Sequence, residues 1–384
     1  MPMRFVRDTQ MTFAFIGAAL LVPVFAFAQD SGPTINNTSY GTYESARVLD
    51  VRIESIGTEQ GAAQKEVYDI EFRSGSRKGA HQTISSDVES NPYQIDPKPG
   101  DSVVVLIQPS DQGDQYYLEG FDRRFPLSLL IALFVLTLFV LAGWQGLKVA
   151  VSIILSVLII GWVLIPSFLQ GANPVPIAMA LSTILIFLTT GMSVGWNRKA
   201  AVTAIGSLGG VIVAYFISLI FSDWSHLSGL STEDDRLFFS QNPNLNPRGL
   251  LFAGIIVAAM GVVEDVAVSI ASGVAEVSKV NRHLTFKELF RAGMVVGKDH
   301  MSALANTLVF AYVGGSLSTL LLYTQYGGSW LKFLNFDAVT DEVIRSMAGT
   351  IGLVFTVPIT ALLAAWFAFK GNARAKAKTL VHHQ

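Results

Sequence analysis

The chain of 384 residues contains no cysteine, which excludes disulfide bonds, thiolate metal sites and cysteine nucleophiles. Charged residues make up 15% of the chain, whereas soluble domains contain about 25%. The net charge of −2 gives no basic excess, so nucleic acid is not predicted as a partner. Hydrophobic residues reach 51%, with 33 glycines and 25 phenylalanines, as is typical of membrane helices. The composition therefore predicts a polytopic membrane protein in contact with the lipid bilayer.

Sequence motifs of common enzymes are also absent. The chain has no Walker A sequence, no H-E-x-x-H and no G-x-S-x-G in a strand–turn–helix context. A two-aspartate intramembrane protease would need a second aspartate within the predicted apolar runs, and none is found there. The histidines of the folded region are too widely spaced for a metal site; they are His81, His226, His283 and His300. We therefore predict that the chain is not an enzyme and uses no cofactor, and the sequence assigns no metal ligand.

Residues 1–28 have the three parts of a secretory signal peptide. Arg4 and Arg7 form the positive region. Residues 12–25 form the apolar region, and Ala26-Phe27-Ala28 resembles a cleavage site. An uncleaved anchor helix is the alternative. Under both interpretations the following segment is exported.

Residues 29–124 form a polar region in which apolar and polar residues alternate. Turn residues separate short β-like runs at 46–53, 66–72, 80–84, 102–107 and 116–118. Five short strands within about ninety residues predict a small OB-like or SH3-like β-barrel. Because the region lacks a basic, aromatic strand face, we interpret it as an extracytoplasmic cap or docking domain for a protein partner.

Residues 125–370 form the predicted membrane domain. Seven apolar runs each have the ~20 residues that a helix needs to cross a bilayer: 126–146, 148–168, 175–194, 201–221, 250–275, 301–322 and 347–369. Lysine and arginine are concentrated in alternate loops and in the basic tail, 371–384. The positive-inside rule therefore predicts a cytoplasmic C-terminus and an extracytoplasmic β-domain, in agreement with the signal peptide.

The strongest candidate site lies in the fifth apolar run. Glu264 and Asp265 fall near the predicted bilayer midplane, where a carboxylate costs roughly 2.5–3.5 kcal/mol. At about 100° per residue, Asp265 shares a helix face with Ser269, Ser272 and Glu276, while Glu264 points about a quarter-turn away. We predict Asp265 as the main ion- or substrate-binding group, with Ser269 and Ser272 beside it and Glu264 and Glu276 as secondary groups. Tight helix packing is the alternative for Ser272.

The sixth apolar run supplies the second candidate set. Asn306, Thr307 and Tyr312 are predicted to complete a small polar site by hydrogen bonds. Asp299 is a secondary site residue, and a cap at the start of this helix is the favoured interpretation. The pair Gly314-Gly315 either breaks the helix and permits gating or lets two helices approach closely.

Pro358 in the seventh run frees the carbonyl four residues earlier and kinks the helix. With Thr356 and Thr360 on either side, the kink either contributes to cation binding and gating or only shapes helix packing. Arg345-Ser346 at the outer end of this run is interpreted as a snorkelling or cap-region pair.

Several polar blocks follow one another along the membrane half. They are Asp265-Val-Ala-x-Ser-Ile-Ala-Ser272 with Ala275-Glu276, Gly297-Lys-Asp299, Asn306-Thr307-Leu-x-x-Ala311-Tyr312-x-Gly314, Arg345-x-x-x-Gly349-x-Ile-Gly352 and Pro358-Ile-Thr360-Ala. In these blocks, and in the β-domain before them, the chain resembles the YibE/F-like family of prokaryotic multi-pass membrane proteins. Two features depart from the family pattern: Ser302-Ala303-Leu304 stands where the family has Gly-Thr-Met, and Glu264 occupies a commonly apolar position.

The resemblance implies a prokaryotic plasma (inner) membrane location. It supports Asp265, Asn306 and Tyr312 as the centre of the site, and it implies no substrate. Two functions follow from the sequence. The first is a secondary transporter or permease for an ion or small solute, with Asp265 as a mid-membrane carboxylate. The second is a non-transporting scaffold, assembly or envelope-stress factor whose β-domain binds a protein partner. The sequence predicts no oligomeric state.

Overall fold

The computed structural model describes residues 41–58, 61–87, 95–110, 113–327 and 329–381. The predicted signal peptide, 1–28, lies outside the described residues, as does the end of the predicted tail, 382–384. The chain divides into two compact units, Met1–Val140 and Leu141–Gln384, each of which is considered by itself.

The N-terminal unit contains a five-stranded antiparallel sheet with the strand order β3-β2-β1-β4-β5. The strands are β1 Thr42–Thr58, β2 Gly61–Phe72, β3 His81–Asp87, β4 Ser102–Gln108 and β5 Gln115–Phe121. Successive side chains of a strand point to opposite faces of the sheet, so burial alternates along it. In β4, Val103, Val105 and Ile107 are buried and pack in one core with Tyr68 and Ile70 of β2. All five predicted β-runs overlap an observed strand.

The prediction of a barrel is wrong, because the sheet is open. The edge strands β3 and β5 approach each other, but within the described strands they are not hydrogen-bonded neighbours. A barrel closes only when its two edge strands pair. Here β1 pairs with β2 from Ala46 to Thr58 but with β4 only from Thr42 to Arg47, so its two neighbours pair mainly with different parts of this long strand. The alternating pattern of the sequence is the same for an open and a closed sheet.

A buried carboxylate anchors the turn between β2 and β3. Glu44 is only 7% exposed, and its Oε1 accepts hydrogen bonds from the Ser76 amide at 3.0 Å and the Ser76 hydroxyl at 3.1 Å. Its Oε2 accepts a hydrogen bond from the Arg77 amide at 3.4 Å. Gly75 has a φ of +74°, and a Cβ there would overlap the Glu44 carboxyl group. The turn therefore depends on both Glu44 and Gly75.

Alanine in place of Glu44 is expected to loosen this turn. Loss of the acceptor leaves turn amides without their partner, at a cost of about 1–3 kcal/mol, which corresponds to roughly tenfold to hundredfold faster amide exchange. Hydrogen–deuterium exchange of the peptide 73–80 measures the effect. Glu54→Ala, at an exposed position of the same strand, is the control. Equal exchange in the two variants would show that Glu44 does not anchor the turn.

The remaining elements are helical. They are α1 Arg124–Ile159, a π-helical turn Ile160–Leu164, α2 Ile165–Leu169, α3 Pro174–Val194, α4 Arg198–Trp224, α5 Glu233–Gln241, α6 Pro247–Val280, α7 Phe286–Gly315, α8 Leu317–Gly327, α9 Trp330–Leu334 and α10 Asp337–Val381. Asparagine side chains cap three of the long helices, and α3 and α6 then begin with proline at the first helical position. Thr285 and Glu288 form a capping box at the start of α7.

Five helices are long and apolar enough to cross a membrane, and the bent pair of α7 and α8 makes a sixth candidate span. The structure thus has five or six candidate spans among the described residues, in place of the seven predicted crossings. The predicted helices 126–146 and 148–168 form a single helical run, Arg124–Leu169, interrupted at Gly143 with a φ of +56°. The run has 46 residues, more than twice the ~20 that one crossing of the hydrocarbon core needs. Only the structure locates the break, because no polar loop marks it.

The helix α6 is the central helix of the C-terminal unit, in contact with α3, α4, α7 and α10. Glycine permits the closest helix contact, between α4 and α10. A Cβ on Gly210 would overlap Thr356 Oγ1, and a Cβ on Gly206 would overlap Thr360 Oγ1. Small residues at such positions let membrane helices pack backbone to backbone. This packing fixes the helices that surround the candidate site.

Candidate functional site

Glu264 lies between two helices of the bundle. The Thr189 hydroxyl on α3 donates to both of its carboxylate oxygens, at 2.7 and 2.8 Å, and the Thr190 hydroxyl donates to Oε1 at 2.9 Å. Thr190 is fully buried. The quarter-turn offset that places Glu264 outside the predicted polar face is what directs it toward α3. The structure therefore gives Glu264 a more enclosed position than the sequence analysis assigned.

Asp265 lies on the exposed surface of α6 in the helical unit. It follows Glu264 directly, and the two carboxylates are within electrostatic reach of each other. Among the residues that the structure describes, neither carboxylate forms an ion pair with a lysine, arginine or histidine. The centre of α6 thus carries two neighbouring acidic groups without a cationic partner from the described part of the chain.

The predicted polar face of α6 is present as a continuous, incompletely buried strip. This polar strip comprises Asp265, Ser269, Ser272 and Glu276. The Ser269 hydroxyl donates to the Asp265 backbone carbonyl at 2.9 Å, so it does not contact the carboxylate. Glu276 is exposed and pairs with Lys279 at 2.7 Å. Gly273, next to Ser272, faces α7: a Cβ added there would contact Val296 of that helix.

The predicted partners on α7 do not converge on Asp265. Asn306 and Thr307 are exposed, and the Thr307 hydroxyl donates to the Ala303 carbonyl of its own helix at 3.1 Å. Asp299 is exposed within α7, and the interpretation of Asp299 as a cap is wrong because the helix already begins at Phe286. Tyr312 is half-buried and lies within electrostatic reach of Arg345 and Glu342 of α10. Tyr312 is therefore associated with a different site.

The glycine pair Gly314-Gly315 ends α7, and α8 continues after Ser316 with a bend of 59°. A Cβ at either glycine would meet no atom within 4 Å, so close helix packing does not explain the pair. The helix break remains as the interpretation of this motif.

Pro358 lies inside α10, where the flanking threonines pack against another helix. Thr356 and Thr360 are fully buried beside the α4 glycines described above. The Thr356 hydroxyl donates to the Gly352 carbonyl at 2.9 Å. Helix packing is therefore the better interpretation of this proline–threonine motif than a cation site.

A second candidate site is a cavity of about 570 Å³ near the N-terminal ends of α6 and α10. We call it the acidic cavity. Its charged residues are Asp235, Asp341, Glu342 and Arg345, and α6 contributes Gly254, Val257 and Ala258. Arg345 thus lies inside a cavity, which corrects its interpretation as a snorkelling or cap-region residue. Because α10 begins ten residues before the predicted run 347–369, Asp341 and Glu342 belong to a helix rather than to a loop between predicted helices.

Sequence reasoning missed four residues of these sites: Thr189, Thr190, Asp341 and Glu342. The adjacent threonines stand in an apolar run with no feature that distinguishes them from ordinary packing residues. The acidic pair has a signal in hindsight, because Asp341, Glu342 and Arg345 have helical spacing. Hydropathy alone leaves Asp341 and Glu342 in the loop between the predicted runs 301–322 and 347–369, because charged side chains lower the mean hydropathy of that segment.

Five or six membrane-length helices, one of them the carboxylate-bearing α6, define a multi-pass membrane protein. The YibE/F-like protein family model matches residues 130–370, well over half of the chain. The chain therefore belongs to the YibE/F-like family, and the predicted family is confirmed. No curated protein and no solved structure gives a significant match.

Proposed function

We propose that this YibE/F-like protein is a secondary permease that moves a small solute together with a proton or cation and catalyses no covalent reaction. The observation that carries the proposal is the pair Glu264 and Asp265, which the described part of the chain leaves without a cationic partner. A mid-membrane ionisable residue without a structural counter-ion is a functional-site candidate.

Electrostatics explains why such a pair favours a bound proton or cation. Two neighbouring carboxylates repel each other, and an unpaired charge in a low-dielectric environment carries a large desolvation cost. The hydroxyl groups of Thr189 and Thr190 donate hydrogen bonds to Glu264 but do not neutralise its charge. A proton or cation from solution neutralises it, and release of that ion restores the charged state. This alternation is the step that couples an ion to a transport cycle.

The surroundings of Glu264 and Asp265 support a transport path along α6. Ala258 lines the acidic cavity, and the polar strip begins at Asp265, about 10 Å further along the helix at ~1.5 Å per residue. The strip continues to Glu276 near the other end of α6. The bend after Gly315 places Ser316 at the cavity wall. Broken helices of this kind line binding sites in many transporters.

The test is flux into proteoliposomes that contain the full-length chain. The panel comprises protons, sodium, potassium, magnesium, calcium and the common amino acids, each under both directions of pH gradient. We expect flux of a member of the panel in the wild type and its loss in Asp265→Asn, with flux retained in Asp234→Asn, an exposed residue of α5. Undiminished flux in a correctly inserted Asp265→Asn variant would contradict the role of the carboxylate pair.

A second candidate function is a non-transporting scaffold whose open sheet binds a protein partner. The observation that favours it is the pair of edge strands, β3 and β5, because an unpaired sheet edge accepts an additional strand. Deletion of residues 29–124 distinguishes the two functions. The scaffold function requires this domain, whereas flux through the helical unit does not. Absence of flux across the whole panel would favour the scaffold.

A further inference from the structure

The acidic cavity contains a buried carboxylate oxygen that no described residue satisfies. Asp341 is 6% exposed, and its Oδ2 accepts a hydrogen bond from the Ser231 hydroxyl. Its Oδ1 has no hydrogen-bond partner within the described part of the chain. A buried polar atom without a partner carries a desolvation cost of about 1–3 kcal/mol. This oxygen is therefore available to accept a hydrogen bond from a bound molecule.

Arg345 places a donor beside this acceptor. It lies four residues after Asp341, so the two side chains share one face of α10. The Nε of Arg345 is 3.9 Å from Glu342 Oε2, which is too long for a hydrogen bond, and it has no other partner among the described residues. The Nη1 atom lies 3.5 Å from the position that a Cβ on Gly254 would occupy. The glycine on α6 leaves room for the guanidinium group.

The pairing of a free acceptor with a free donor indicates the charge pattern of the ligand. Asp341 suits an ammonium group, and Arg345 suits a carboxylate, which its planar guanidinium binds by two hydrogen bonds. The two side chains are about one helical turn apart, with Cβ atoms roughly 5–6 Å from each other. A single small molecule that carries both charges close together can therefore contact both. Phe168, Phe239 and Leu250 provide apolar wall for the rest of it.

Two simpler ligands fit less well. The described residues contain no group of three or more histidine, aspartate or glutamate side chains that could hold a metal ion, and Arg345 would repel one. A simple anion would meet Asp235, Asp341 and Glu342 in the same wall. The cavity volume is within the range of about 300–1,000 Å³ that small-molecule sites occupy.

We propose that the acidic cavity binds a small zwitterion of the α-amino-acid type, with its ammonium group on Asp341 and its carboxylate on Arg345. This assignment names the solute of the permease function proposed above and, as a transport substrate, rests on that function. Binding itself is measured without transport, so that the two proposals are tested separately.

The test is equilibrium dialysis of the purified full-length protein with each of the common amino acids, radiolabelled. We expect at least one to bind in the wild type. For the tightest of them, the decarboxylated amine and the deaminated acid should each bind at least about tenfold more weakly, because each lacks one charge-assisted hydrogen bond. If no amino acid binds, or if the amine or the acid alone binds equally well, the proposal is wrong.

Two variants assign the contacts. Asp341→Asn should weaken amino-acid binding at least about tenfold and remove the discrimination against the deaminated acid, and Arg345→Gln should remove the discrimination against the decarboxylated amine. A general loss of structure would weaken the binding of all these ligands and would not remove one discrimination selectively. Asp234→Asn, exposed on α5 and outside the cavity wall, is the matched control and should bind as the wild type does. Unchanged binding in Asp341→Asn and Arg345→Gln would overturn the assignment.

The outcomes separate this proposal from the permease function. Amino-acid binding without any flux would support the site and contradict transport. Ion flux without amino-acid binding would support the permease and contradict the zwitterion.

Discussion

Glutamine in place of Glu264 is expected to abolish coupled flux while the protein remains folded and inserted. Glutamine has nearly the same shape, and its carbonyl oxygen still accepts hydrogen bonds from Thr189 and Thr190. It cannot bind and release a proton or neutralise a cation, so the proposed coupling step is lost and flux should fall to the level of protein-free liposomes. Thermal stability should be unchanged or higher, because the variant removes a charge from a low-dielectric environment.

The controls separate the charge of Glu264 from its hydrogen bonds. Glu233→Gln changes a carboxylate that is 88% exposed at the start of α5 and should retain wild-type flux. Thr190→Val removes one hydrogen bond to Glu264 without removing the charge. We expect the concentration of the coupling ion that gives half-maximal flux to rise about tenfold to hundredfold. Wild-type flux in Glu264→Gln would exclude this carboxylate from coupling and leave Asp265 as the sole acidic group of the centre.

Alanine in place of Gly210 is expected to produce a large loss of stability. A Cβ at this position would overlap Thr356 Oγ1 and lie 3.0 Å from the Gly352 carbonyl oxygen and 3.1 Å from Val263 Cγ1. All three neighbours are backbone or fully buried groups, so they have little room to move. Overpacking of this kind costs about 1–3 kcal/mol, which corresponds to a fall in the melting temperature of several degrees.

Gly261→Ala is the matched control for that substitution. Gly261 also lies in a long membrane helix, but a Cβ there would meet nothing within 4 Å. Its melting temperature in detergent should therefore equal or slightly exceed that of the wild type, since alanine favours the helix over glycine by about 1 kcal/mol. Equal melting temperatures for Gly210→Ala and Gly261→Ala would contradict the close contact between α4 and α10.

Glu264 and Asp265 show how far the candidate site can be predicted from sequence. Helical periodicity correctly separated the two side chains by a quarter-turn, and it correctly grouped Asp265 with the polar strip. Periodicity does not state which face of a helix meets a neighbour. Glu264, the less favoured residue, contacts two threonines that lie about 75 positions earlier in the chain, a pairing that only the packing of α3 on α6 creates.

The sequence by itself determined the membrane class, the family and the five β-runs. These features follow from local properties, namely hydropathy, alternation and short polar blocks. The break at Gly143 is a local backbone feature that hydropathy does not mark. Tertiary structure alone decided that the sheet stays open and that Arg345 lines a cavity together with Asp341. Each of these depends on contacts between segments far apart in the chain, and hydropathy and local pattern carry no information about which distant residues meet.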